Sequence, residues 1–410
     1  MKRAIVLSGG GSKGAYQIGV WKALRKLHIN YDIVTGTSVG ALNSILFVQK
    51  DYLKALKLWY NLDSKIIFKD EFDMKKTSKK NILKKYASNV VSGGLDVEAL
   101  EHTVEEILNV KKFYSSNIDM GIITFKLSKL EPIILTKKEI EPQLLKDYVI
   151  ASASCYPAFK KKEINGEYYI DGGIYDNLPI NLAINMGADE VIAVDLKEIG
   201  LKQKVKNKNI PITYISPNND IGSFLIFEKN SARKAIKFGY NDTLKQYKKL
   251  EGNKFTFKKG HLKRNYLIYK DKILNYCNHT FIDKKGNYFE KYLKVAALKR
   301  IIKADDDKKL YKEFNKHVEK LGLIFKLEES NIYNIKKYNK LLVDKFKKLD
   351  DDINIADDIQ KNKLKSLFGN KYMIKYLTNL IINKDKKITT LALLFPNEFI
   401  EALYMVLIIK

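Results

Sequence analysis

Twice within the first 48 residues a short apolar run ends in glycines and passes straight into a helical pattern, and this arrangement restricts the fold more than any other feature. Residues 4–7 are followed by Gly9-Gly10-Gly11-Ser12-Lys13-Gly14 and then by residues 15–27, where Ile18, Trp21, Leu24 and Leu27 recur at helical spacing. Residues 31–35 form a second strand-like run, and Gly36-Thr37-Ser38-Val39-Gly40 turns it into an apolar helix over 41–48. Strand, glycine turn and helix in repetition specify an α/β fold with a mostly parallel sheet covered by helices. Further strands are expected at 118–126, 133–136, 190–196 and 212–216, and further helices at 97–108, capped by Asp96, and at 228–239. Asn165-Gly166 suits a two-residue hairpin turn with positive φ, so residues 168–170 form a return strand that delivers Asp171. Pro179 can open the next helix.

The alternation stops near residue 250. Beyond it lie amphipathic helical patterns rich in Lys and Tyr, so 410 residues divide into an expected α/β domain over 1–250 and a basic, mainly helical domain over 251–410. Aspartate triplets at 305–307 and 350–352 precede two of these patterns. They suit helix N-termini, and they also admit a metal-cluster reading, although consecutive acids on a helix diverge. Residues 63–93 are polar and Lys-rich. They form either a solvated loop or a lid whose Lys75, Lys76, Lys79, Lys80, Lys84 and Lys85 meet anionic headgroups. The apolar run 399–409, behind Pro396, fits a buried helix face through Leu403, Val406 and Leu407, or insertion into a bilayer surface.

The formal net charge of +27 is uneven: residues 1–200 hold 28 basic and 24 acidic side chains, residues 201–250 hold 11 and 3, and residues 251–410 hold 35 and 20. Such an excess either seeks an anionic partner or solvates helix faces. No zinc-finger spacing, RNP-type segment or basic zipper accompanies it, so no nucleic-acid partner is expected. Two cysteines and five scattered histidines exclude a disulfide framework and offer no metal-ligand spacing, which suits a reducing, intracellular compartment. The N-terminal apolar run is too short for a signal-peptide core and no stretch has the length of a membrane span. A cytoplasmic chain, peripheral at a membrane at most, is expected. Its oligomeric state is unreadable.

Gly36–Gly40 is a G-x-S-x-G between a strand and a helix. A nucleophile elbow needs that setting, with a strained turn lifting Ser38 off the sheet and glycines two residues away on each side. The helix that follows aims its amide end at a reacting oxygen. The first glycine loop, Gly9 to Gly14, has three readings: a dinucleotide phosphate cradle, a tight turn, or an oxyanion hole of backbone N–H groups. The cradle lacks the acidic residue expected about 20 residues on, which favours the oxyanion hole. A Ser–Asp–His triad needs a histidine after the acid, but His261, His279 and His317 fall in the charged C-terminal region and His28 and His102 suit helix ends. A carboxylate must then take the serine proton. Asp171, at a strand end before Gly172 and Gly173, fits that task, with burial raising a pKa that is ordinarily near 3.9.

These segments together resemble the patatin-like phospholipases, lipid acyl hydrolases with a Ser–Asp dyad. Gly9–Gly14 is similar to the family's oxyanion loop and Gly36–Gly40 to its elbow. Asp171-Gly172-Gly173, continuing into Asp176-Asn177-Leu178-Pro179, is similar to its D-G-G motif. Weaker similarities are Gly94-Leu95-Asp96, residues 151–157 and Phe238-Gly239-Tyr240, so the resemblance covers about 1–250. It implies a three-layer α/β/α domain, an acyl-enzyme on Ser38 activated by Asp171, and an oxyanion held by Gly10, Gly11 and their neighbours. It also implies a fatty-acyl ester substrate and no cofactor or metal. Lys13 fills a basic family position. A non-catalytic effector that binds a membrane or partner through its basic C-terminal helices is the rival expectation.

Overall fold

Ala4, Ile5, Val6 and Leu7 are all fully buried, as a central strand covered on both faces must be. In the computed structural model the described residues are 1–62, 98–281, 299–301, 306–349 and 369–409. They group into two compact units, Met1–Gln246 and Tyr247–Lys410.

The first unit is built on an eight-stranded sheet. Strand β1 (Arg3–Leu7) pairs in parallel with β2 (Ile33–Gly36) on one side and β7 (Glu190–Val194) on the other, and β8 (Ile212–Ile215) extends the parallel run beyond β7. Strand β3 (Asp119–Lys126) pairs in parallel with β2 through its first half. Its far end pairs antiparallel with β6 (Glu167–Asp171), and it also pairs antiparallel with β4 (Glu131–Thr136). Strands β5 (Lys162–Ile164) and β6 make the expected hairpin, with Asn165 at φ 51° and Gly166 at φ 77°.

Helices cover this sheet. Alternate residues Ala4, Val6, Val191 and Ala193 pack on one face with Ile180 and Ala183 of helix α7 (Ile180–Asn185), which Pro179 introduces. On the opposite side, α2 (Val39–Gln49) packs along β1, β2 and β3. Helix α1 (Ala15–Lys26) packs against α8 (Lys229–Gln246) so closely that a side chain could not be added at two glycines. A Cβ on Gly19 would lie 2.0 Å from the Ile236 oxygen, and one on Gly239 would lie 2.1 Å from the Tyr16 oxygen. This backbone contact, with the Tyr16 hydroxyl donating to Asp242 at 3.0 Å, ties the end of the unit to its beginning. Four helices lie between or beside the strands: α3 (Tyr52–Asn61), α4 (Glu98–Ile107), α5 (Val110–Ser115) and α6 (Leu145–Ala153).

In the second unit the strands β9 (Leu250–Glu251), β10 (Thr256–Lys258) and β11 (Ile332–Tyr333) form a small sheet. Helices make up the rest: α9 (His261–Phe281), α10 (Asp307–Ile324), α11 (Ile335–Lys347), α12 (Lys371–Ile382), α13 (Ile388–Leu394) and α14 (Pro396–Ile409). Phe399, Ala402, Leu403 and Met405 of α14 are buried in a core with Met373, Leu377 and Phe395, and Leu407, Ile408 and Ile409 pack against it. The C-terminal apolar run is therefore a core helix, and the bilayer reading of 399–409 is corrected. Asp306 caps α10 by accepting from the Lys308 N–H at 2.9 Å, while Asp307 accepts from the Tyr266 hydroxyl at 2.6 Å and pairs with Lys270. Among the described residues no group of His, Cys, Asp and Glu is placed to hold a metal ion. The expected loop or lid at 63–93, the cap at Asp96 and the triplet at 350–352 lie outside the described residues. Among the described residues no helix is long and apolar enough to cross a membrane.

Candidate active site

Parallel strands finish at one edge of a sheet, and the segments following β1, β2 and β7 meet there. Strand β2 ends at Gly36, and the chain reverses into α2 with Ser38 at φ 58° and ψ −128°. A non-glycine residue in that conformation is strained and persists only where its surroundings hold it. Here they do. A Cβ on Gly40 would lie 2.2 Å from the Leu7 oxygen, so the turn presses directly on the end of β1. The Thr35 hydroxyl donates to the Pro179 oxygen at 3.0 Å and the Thr37 hydroxyl to the Asp176 oxygen at 2.8 Å. The Ser38 N–H donates to the Ser152 Oγ at 3.1 Å, and the Ser152 hydroxyl donates to the Ile123 oxygen at 2.6 Å.

Asp171 closes β6, with its N–H donating to the Ser154 oxygen at 2.9 Å. Its Oδ1 accepts from the Gly173 N–H at 2.7 Å. Burial pushes the Asp171 carboxyl up to about 6, while the nearby Ser38 side chain and the Gly173 N–H act in the opposite direction. Gly172 is required by close approach, since a Cβ there would lie 2.2 Å from the Ile123 oxygen. The neighbouring Cys155 thiol is pushed up to about 12, by burial first and by Asp171 second, which keeps it neutral and unreactive. Among the histidines, His102 pairs with Glu105, His317 with Glu401, and His261 accepts from the Ile335 N–H.

The glycine loop divides its amides between structure and solvent. The Gly9 N–H donates to both the main-chain and side-chain oxygens of Asn177, at 3.1 Å each. The Ser12 N–H donates to the Phe224 oxygen at 2.9 Å and the Lys13 N–H to the Gly10 oxygen at 3.1 Å. Gly14 is a packing residue, with Val39 and Trp59 less than 3 Å from where its Cβ would stand. The amides of Gly10 and Gly11, by contrast, have no acceptor among the described residues. The same holds for the N–H of Val39, the first residue of α2. Of the amides in the expected oxyanion loop, those of Gly9, Ser12 and Lys13 are engaged within the fold. The loop also touches the elbow, since a Cβ on Gly9 would lie 3.0 Å from that of Ser38. Lys13 forms an ion pair with Glu198.

Ser38 opens into an apolar cleft lined by Val39, Leu42, Leu58, Trp59, Leu100 and Phe159 among others. Its walls are braced by a buried polar chain. Trp59 Nε1 donates to Asn43 Oδ1 at 2.9 Å, Asn43 Nδ2 donates to Gln17 Oε1 at 2.8 Å, and Gln17 Nε2 donates to the Ser8 oxygen at 2.8 Å. Sequence reasoning did not single out Gln17, Asn43, Trp59 or Ser152. Only the position of Ser152 within the weakly similar segment 151–157 offered a signal.

The chain is similar to several known proteins. Residues 5–184 match the family model for patatin-like phospholipase. The chain is 27% identical over 209 residues to patatin-like phospholipase domain-containing protein 7 of Rattus norvegicus, covering 47% of this chain and 13% of that one. It is 27% identical over 221 residues to a cUMP-AMP-activated phospholipase of Escherichia coli, covering 48% of this chain and 62% of that one. It is 30% identical over 217 residues to triacylglycerol lipase 4 of Saccharomyces cerevisiae, covering 47% and 24%. The crystal structure of VipD from Legionella pneumophila aligns with a TM-score of 0.39 at 15% identity, covering 100% of this chain and 91% of that one. The match to the rat protein thus spans about an eighth of that protein's length. Residues 5–184 are thus similar to the patatin-like phospholipases.

Proposed function

We propose that the protein is a serine acyl hydrolase that cleaves fatty-acyl esters of lipids, with Ser38 as nucleophile and Asp171 as its base. The observation that carries this reading is the strained turn that sets Ser38 beside an apolar cleft and within reach of Asp171, a carboxyl whose pKa burial raises to about 6. A base held near the working pH removes a proton more effectively than an ordinary carboxylate does.

In the first step the Ser38 Oγ attacks the ester carbonyl while its proton passes to Asp171. The oxygen of the tetrahedral intermediate takes up the negative charge, and the N–H groups of Gly10, Gly11 and Val39 stabilise it. Collapse breaks the ester C–O bond and leaves the acyl group on Ser38. The departing alkoxide takes the proton back from Asp171 and leaves as an alcohol. Asp171 then draws a proton from water, whose oxygen attacks the acyl-enzyme, and the fatty acid is released as Ser38 regains its hydrogen. The cleft lined by Leu42, Leu58, Leu100 and Phe159 takes the acyl chain. Gly9, Ser12, Lys13 and Gly14 support this machinery, since the first three have their amides engaged within the fold and the fourth is packed.

A fluorophosphonate probe followed by peptide mapping tests the assignment. The expected result is a single adduct on Ser38, blocked by prior incubation with phospholipid. Labelling elsewhere, or none in a protein that hydrolyses phospholipid, would overturn it.

A further inference from the structure

The segment leaving β7 carries side chains that hydrolysis itself does not use. Ile199 is 94% exposed and Leu201 62%, and Ile174, just after the D-G-G turn, is 51% exposed. Single exposed apolar residues are ordinary, but three held together by the backbone are a patch. The Leu201 N–H donates to the Gly173 oxygen at 3.0 Å, and the Leu201 oxygen accepts from the Asn177 N–H at 2.6 Å, which places Leu201 beside Ile174. Gly200 packs on Asn177, where a Cβ would lie 2.7 Å from that of Asn177. Glu198, on the other side of Ile199, pairs with Lys13 of the glycine loop. Ile199 is therefore pinned between the two loops that flank Ser38.

Positive charge prevails around these side chains. From 195 to 208 the chain has five lysines and two acids, a balance of +3, with Glu198 engaged by Lys13 and Asp195 by Lys202 at 2.7 Å. Lys197, Lys202 and Lys204 are exposed, and they border Ile199 and Leu201. Apolar tips ringed by lysines match a surface with an anionic headgroup layer over hydrocarbon. A second copy of this chain would bring the same positive charge to the contact and be repelled.

We propose that Ile174, Ile199 and Leu201, with Lys197, Lys202 and Lys204, form a face that docks on an anionic lipid bilayer. The docking deepens the reading of the site as a lipid hydrolase, but its test needs no turnover. Ser38→Ala protein is sedimented with vesicles of phosphatidylcholine alone and with vesicles containing phosphatidylglycerol. Binding is expected only to the second, weakening as salt rises. Adding Ile199→Ser and Leu201→Ser should weaken it about tenfold, since each buries apolar area in the interface. Lys202→Gln and Lys204→Gln should each weaken it about fivefold. With Ser38 intact, the Ile199→Ser/Leu201→Ser protein should hydrolyse a water-soluble short-chain ester at the wild-type rate, and its unfolding transition should be unchanged. Equal vesicle binding by parent and variants, or equal binding to both vesicle types, would overturn the docking face. So would loss of self-association in place of vesicle binding, which would make the patch a contact between copies. Absence of ester hydrolysis in the wild type would count against the proposed function and leave the sedimentation result to stand alone.

Discussion

Replacing Ser38 by alanine is expected to reduce hydrolysis of phospholipid and of short-chain esters by on the order of 10⁴-fold or more, because the covalent route is lost with the nucleophile. The fold should survive. Ser38 accepts its strained backbone for reasons outside its own side chain: Gly40 against β1, Thr35 and Thr37 bonded to the 176–179 segment, and Ser152 holding the Ser38 amide. Turnover under saturating substrate and urea unfolding measured on the same preparation separate the two effects. A variant that keeps wild-type turnover would remove Ser38 from the reaction. A variant that fails to fold would show that the hydroxyl does more than chemistry.

Asp171→Asn is expected to abolish turnover to a similar degree and yet to stabilise the first unit. The carboxyl has a folded pKa raised from 3.8 to about 6, so the folded protein holds this proton more tightly than the unfolded chain does. Stability from this group is therefore present below the unfolded value of 3.8 and is lost as pH rises to about 6. Above about 6 the ionised carboxylate is carried at a cost that asparagine avoids, for a gain of about 1 to 2 kcal/mol after allowance for the partial exposure of the residue. Asp176, also raised to about 6 by burial, titrates over the same window, so the comparison must be between wild type and variant rather than along one pH series. Urea unfolding above pH 6 checks the prediction. An inactive variant of lower stability would indicate that the ionised carboxylate holds the fold together and that its raised pKa is not a functional strain.

The elements most legible in the sequence are those whose signal is local. Gly36–Gly40 shows its turn through spacing and its place between a strand and a helix, because a sharp strand-to-helix turn needs small residues on both sides of Ser38. The Asn165-Gly166 hairpin shows itself through backbone preference. The division of labour inside the glycine loop is not local. That Gly9 serves Asn177, 168 residues away, while Gly10 and Gly11 keep free amides depends on how the segment after β6 returns to the loop. The brace of Gln17, Asn43 and Trp59 is hidden for the same reason, since a buried polar side chain on a helix looks like a solvated one until its partners are known. Gly239 was a faint similarity in the sequence, and its purpose becomes physical only beside Gly19, where two helix backbones touch.

A lone carboxyl group does the work of an imidazole in the proposed reaction, and the pH dependence of fluorophosphonate labelling measures this most directly. The second-order rate should fall about tenfold per pH unit below an inflection near 6, the value burial gives Asp171, and level off above it. Replacing each of the five histidines in turn should leave that limb in place. A rate independent of pH from 4 to 8, or a limb that vanishes with a histidine substitution, would contradict the Ser38–Asp171 mechanism.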